Sequence, residues 1–195
     1  MFRKLTAILT LIFVLVVVPA YAGFDGGLLD NNGFEDGLSD WSVTDKAGDK
    51  VACQGDNNHN DNSGLCSYLM KGNTDSDVRL IQKLSAADIV ELNGAVASDT
   101  LRVRAYGYRY SESALTKLTF KLIIKLDDGT KLTEKTTSLG ITGLRLGWVK
   151  LDTITIDVAQ SEVFKSVKIK AIDKSNAGKQ WVDDFNLNYQ LLSSS

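Results

Sequence analysis

The stretch Leu118-Thr119-Phe120-Lys121-Leu122-Ile123-Ile124-Lys125-Leu126-Asp127-Asp128-Gly129 decides how this chain is read. Leu118, Phe120, Leu122, Ile124 and Leu126 recur at every second position, the period of a strand with one face in a core. Asp127-Asp128-Gly129 then supplies a hairpin turn, and Lys131 to Thr137 reads as the return strand. Working outward, Val78 to Leu84 is a strand, Leu101 to Tyr110 alternates with period two, and Trp148 to Asp157, Val163 to Ile172 and Trp181 to Tyr189 follow. The β-branched enrichment and the spacing of turn signals predict an all-β chain, an antiparallel β-sandwich of two sheets. Helix signals are weak. Ser85 to Leu92 predicts a single short turn with Ser85 as its cap.

Residues 1–22 read as a signal peptide. Arg3 and Lys4 form a basic start, Leu5 to Val18 is apolar, and Ala20-Tyr21-Ala22 fits a cleavage site. An uncleaved anchor is the alternative, although the apolar run is short of the roughly 20 residues of a membrane span. The expected mature chain is secreted or held at the cell surface, with one domain over residues 24–192. The sequence carries 22 basic and 24 acidic residues, a net charge of −2. Loss of Arg3 and Lys4 leaves 20 basic against 24 acidic, or −4. No run of Lys or Arg stands out, so a nucleic-acid partner is not expected. Cys53 and Cys66 are the two cysteines, and in an exported chain they are expected to pair.

Catalytic signals are sparse. The one histidine, His59, lies in the polar loop Asp56–Asn62. That loop resembles the start of an EF-hand, but Asp61 stands where glycine is needed and Ser67 where glutamate is needed. With both cysteines expected in a disulfide, no thiol nucleophile is expected. Asp183 and Asp184 are strand neighbours and point to opposite faces, so they do not form a glycosidase pair. The chain is read as a non-enzyme.

Two acidic segments bracket the chain: Asn32-Gly33-Phe34-Glu35-Asp36-Gly37 with Trp41, and Trp181-Val182-Asp183-Asp184-Phe185. Calcium takes six to eight oxygen ligands, and an ion joining Glu35 and Asp183 would tie the two ends of the domain together. The same acids also read as exposed, or Asp183 as a turn cap. The strand 101–110 is the sharpest binding signal. Alternation puts Leu101, Val103, Ala105 and Gly107 on one face and Arg102, Arg104, Tyr106, Tyr108 and Tyr110 on the other. That second face suits stacking against sugar rings and hydrogen bonding to their hydroxyls. Packing of the tyrosines under a loop, or cross-strand pairing, is the structural alternative. Trp41, Trp148 and Trp181 read as core or end anchors.

Asn32-Gly33-Phe34-Glu35 with Trp41, Leu80-Ile81-Gln82, Gly147-Trp148 and Trp181-Val182-Asp183-Asp184-Phe185 resemble, in order, the carbohydrate-binding modules of the galactose-binding-like jelly-roll group. The resemblance implies a jelly-roll sandwich. It implies structural Ca²⁺ with Glu35 and Asp183 as side-chain ligands, and a glycan bound on a concave sheet face or at end loops. The Cys53–Cys66 loop is not part of the shared pattern, and no fused catalytic domain is expected. The expected function is a secreted, calcium-stabilised module that binds polysaccharide or a glycoconjugate through the Tyr/Arg face. The alternative is a structural or adhesive protein of the envelope or extracellular matrix, with protein partners in place of sugar.

Overall fold

Inward-facing apolar residues on every second position build two sheets that close on each other. The computed structural model describes residues 27–44, 49–53, 65–72, 77–140 and 147–192. In chain order the elements are β1 (Trp41–Thr44), β2 (Lys50–Cys53), β3 (Cys66–Lys71), β4 (Val78–Lys83), α1 (Ala86–Val96), β5 (Thr100–Ser111), β6 (Lys117–Leu126), β7 (Lys131–Leu139), β8 (Val149–Lys150), β9 (Ile154–Val158), β10 (Phe164–Asp173) and β11 (Lys179–Leu192). A five-stranded sheet runs β1-β4-β10-β6-β7, and a six-stranded sheet runs β2-β3-β11-β5-β8 with β9 also on β5. Every pairing between these strands is antiparallel. The expected two-sheet sandwich is the fold.

The core lies between the sheets. Phe120, Leu122, Ile124, Leu80 and Ile169 come from one side, and Val103, Ala105, Val182, Phe185 and Leu187 from the other, all fully buried. Phe185 stacks on Phe120 with centroids 5.4 Å apart and lies 5.3 Å from the Trp41 ring. Such ring pairs contribute about 0.5–1.5 kcal/mol beyond their buried area. The hairpin turn forms as read: Gly129 takes φ +93°, and the Asp128 carboxylate accepts from the Thr130 amide at 2.8 Å.

Two details correct the sequence reading. The single turn expected at Ser85 is an 11-residue helix with a full capping box between Ser85 and Asp88. Asn93 and Gly94 weaken its intrinsic propensity, but packing overrides this. Leu92 and Val96 are buried, and Asn93 bonds both backbone groups of Phe164, at 2.7 and 3.1 Å. The strand expected from Trp148 to Asp157 splits into β8 and β9. Lys150 faces Tyr108 and Ile154 faces Ala105, so four steps on one chain answer three on β5. The extra residue cannot stay in the ladder.

Sheet register joins Cys53 to Cys66 across β2 and β3, and their disulfide is formed. The expected signal peptide (1–22), His59 and the loop Asp56–Asn62 lie outside the described residues. No helix of the described residues is long and apolar enough to cross a membrane.

Candidate functional site

The alternation of β5 sets the face. Leu101, Val103, Ala105 and Gly107 are buried, whereas Arg102, Arg104, Tyr106, Tyr108 and Tyr110 point outward and are half-buried. Both neighbours of β5 are irregular at the same level. On β11, Asp183 faces Tyr108 and Asn186 faces Tyr106, so three steps answer two. Asp184, at φ +47°, takes up the bulge; aspartate tolerates this left-handed conformation better than most residues. The slip sends Phe185 inward and brings Asn186 and Asn188 out beside Tyr106 and Arg104. On the other side, the break between β8 and β9 presents Thr153.

These irregularities frame a cleft of about 270 Å³ lined by Gly27, Arg104, Tyr106, Lys150, Thr153, Asn186 and Asn188. The Lys150 ammonium stands 4.0 Å from the centre of the Tyr106 ring, a cation–π contact. Arg104 is steadied by Gln190 at 3.3 Å, and Asn188 donates to Asn186 at 3.0 Å. The lining offers cationic and amide donors, a hydroxyl and carbonyl acceptors around one ring edge. That set suits a ligand dense in hydroxyl groups.

The five expected binding residues divide. Arg104 and Tyr106 line the cleft. Tyr108 meets Tyr106 edge-on, at 82° and 6.4 Å. Tyr110 is packed between Trp181 at 5.4 Å and Trp148 at 6.1 Å. The three rings therefore do not form one flat platform. Arg102 lies beyond the cleft, held by both oxygens of Asp157 at 2.7 and 2.8 Å. The bonds from Arg102 hold the Asp157 carboxyl below its usual range. Lys150, Thr153, Asn186 and Asn188 were not foreseen; strict alternation from Trp181 would have turned Asn186 inward.

The two acidic segments do meet. The Leu28 amide donates to the Leu187 carbonyl at 2.7 Å, and the Phe185 amide to Asn32 at 3.3 Å. Phe34 is buried against Trp41, Tyr68 and Phe185. Trp41 donates from Nε1 to the Asn31 carbonyl at 2.9 Å. Glu35 accepts from the Cys66 amide at 2.7 Å. Asp183 is fully buried and accepts from the Asp184 amide at 2.8 Å. Three or more His, Cys, Asp or Glu side chains do not gather at any one point among the described residues. A cation at this clasp would therefore draw on backbone carbonyls as well as the two carboxylates, which is ordinary for calcium.

A residue that sequence reading left unassigned is Arg109, which follows the inward phase of β5 and is buried. Its Nε donates to Gln180 at 2.7 Å, one Nη to Ser138 at 3.0 Å, and the other to Thr116. Burial pulls its guanidinium down to about 10, with Asp173 opposing the shift.

No protein-family model matches the chain, and no curated protein matches it. Solved structures do. A family 61 carbohydrate-binding module in complex with β-1,4-galactotriose is 20% identical, with a TM-score of 0.51 over 83% of this chain and 97% of that one. The CBM22-1 xylan-binding domain from Paenibacillus barcinonensis Xyn10C is 17% identical, with a TM-score of 0.54 over 86% and 97%. A family 16 carbohydrate-binding module gives 15% identity and a TM-score of 0.50 over 82% and 98%. The chain thus has the jelly-roll fold of these carbohydrate-binding modules, as the sequence resemblance implied.

Proposed function

We propose that the chain is a non-catalytic carbohydrate-binding module, exported and calcium-stabilised, that holds a glycan in the cleft beside Tyr106. The observation that carries this reading is the cleft itself: Arg104, Lys150, Thr153, Asn186 and Asn188 converge on one ring in a fold shared with sugar-binding modules. At about 270 Å³ it is just below the usual range of small-molecule pockets. That size suits a chain end or a short segment of polysaccharide. Hydrogen bonding carries more of the binding than stacking, because Lys150 covers a face of Tyr106.

Glu35 and Asp183 would hold the calcium, with carbonyls of the 31–37 turn. The ion would neutralise a buried carboxylate and tie the first turn to β11. It is structural in this reading and lies outside the cleft.

Affinity electrophoresis in gels containing β-1,4-galactan or xylan tests the binding site. Wild type should be retarded by at least one, and Tyr106→Ala and Asn188→Ala should run faster with unchanged melting. Equal retardation of all three would sink the assignment to this cleft. A reducing-sugar assay on the same polymers should show no release. N-terminal sequencing of exported protein should begin near Gly23. An oligomer or lattice in scattering, with no retardation on any glycan, would favour the structural-protein alternative.

A further inference from the structure

The outward face of the five-stranded sheet carries a charge pattern that no stretch of linear sequence displays. In the ladders, Lys170 on β10 faces Lys121 on β6, and Lys121 in turn faces Lys135 on β7. Lys168 faces Lys83 on β4 in the same way. Like charges set directly opposite each other destabilise a sheet. Arg79, Lys121, Lys131, Lys170 and Lys174 line a depression of about 310 Å³ together with Ile123 and Thr133, and Asp77 is the one carboxylate in its lining. Burial, and then the neighbouring Lys168, Arg79, Lys121 and Lys131, push the Lys170 ammonium below its usual range. Among the described residues, Glu134 on the edge strand β7 is the one exposed Asp or Glu within β4, β6, β7 and β10, and its register with Leu122 sets it on the inward side of the sheet. Carboxylates stand at the rims, where Asp77 meets Lys174 at 3.8 Å and Asp127 meets Lys165 at 3.9 Å. The chain as a whole is acidic, with net charge −2, so this positive field is local.

We propose that this face binds an acidic polysaccharide, a polymer bearing carboxylate groups along its length. Charge complementarity selects a polyanion, because the bound anions relieve the repulsion built into the ladders. Geometry selects an extended one. Ammonium-bearing positions recur about every 7 Å along a strand and about every 5 Å across strands. They spread over four strands instead of converging on one phosphate-sized point. The outward positions of these strands carry no aromatic ring, the stacking element that single-stranded nucleic acids use. They also lack the Trp or Tyr anchors of a membrane interface. The face lies on the sheet opposite the cleft, so the proposal does not depend on that site.

Affinity electrophoresis of the exported chain in polygalacturonate gels tests this, with neutral dextran gels as the control. Wild type should be retarded at about 50 mM salt and largely released at about 200 mM, and should run freely through dextran. Lys121→Glu/Lys170→Glu should bind roughly tenfold more weakly or worse. Lys121→Gln/Lys170→Gln should fall between the two. Both doubles should melt at or above the wild-type temperature, because repulsion is removed. Tyr106→Ala should be retarded like wild type. Absence of retardation at low salt, retardation unaffected by the Glu double, or its loss in Tyr106→Ala would overturn the proposal. So would tighter binding of a single-stranded oligonucleotide or of phosphatidylserine vesicles than of polygalacturonate.

Discussion

A Cβ placed on Gly107 would stand 2.5 Å from Cδ1 of Phe185. Glycine at this point of β5 is therefore a steric requirement set by the ring that the β11 bulge drives inward. Gly107→Ala should destabilise the domain by about 1–3 kcal/mol through overpacking, and Phe185→Ala by about 3–5 kcal/mol through the cavity. Urea denaturation measures both. Gly107→Ala combined with Phe185→Ala should cost less than the sum of the two single changes, and strict additivity would contradict the contact.

Lys150 reaches Tyr106 from β8, a strand of only two residues. Lys150→Gln keeps a hydrogen-bonding group but removes the charge over the ring. Its effect on stability should be small, about 0.5–1 kcal/mol. Titration calorimetry with the glycan identified by electrophoresis should show clear weakening. Unchanged affinity would exclude Lys150 from the binding contacts.

The proposed calcium site has a thermodynamic signature. An ion that binds only the folded chain raises stability by about 2.7 kcal/mol at a hundredfold excess over its Kd. EDTA should lower the melting temperature, and calcium should restore it. Glu35→Gln and Asp183→Asn should weaken the response. A melt indifferent to EDTA would remove calcium from the account.

Alkaline pH should unfold the domain early. Burial, then Asp49, raises the Tyr68 hydroxyl, and burial, then its bond to Glu91, pushes Tyr189 up to about 12. A folded-state value above the unfolded tyrosine value of about 10 contributes stability fully present below that pH. The contribution is lost as pH climbs through the folded value. Arg109 has the opposite sign. Its folded value of about 10 lies below the ordinary guanidinium value, so its loss of charge relieves a burial cost as pH rises. Melts should therefore fall from about pH 10 upward. Tyr68→Phe should flatten that decline, and an unchanged pH profile in this variant would refute the assignment.

Reduction of Cys53–Cys66 opens a short loop with a sequence separation of 13. The loss should be about 2–4 kcal/mol, read by urea melts with and without reductant. It should fall on the β2–β3 edge, seen as faster amide exchange at Ala52 and Ser67.

Much of this was legible because strand alternation is a local property. Leu101 to Tyr110 and Leu118 to Leu126 announce their buried faces residue by residue. Arg109 was legible in phase, but no local signal says that Gln180, Ser138 and Thr116 would satisfy it. Asn186 and Asn188 were hidden because their orientation depends on the backbone of Asp184. The lysine face was hidden because its members lie as far apart in sequence as Arg79 and Lys170. The helix was under-read because tertiary contacts of Leu92, Asn93 and Val96 supply what propensity withholds.

The bulge at Asp184 has a consequence for how β11 tolerates insertions and deletions. Before it, the residues on the tyrosine face of the sheet carry odd numbers, as at the covered Trp181 and Asp183; after it, they carry even numbers, as at Asn186, Asn188 and Gln190. Deleting Asp184 would shorten the strand yet leave each side chain on its present face. Removing or adding one residue between Leu187 and Leu191 would instead exchange interior for exterior along the remainder. Length variation in this strand is therefore confined to one position, the one next to Phe185.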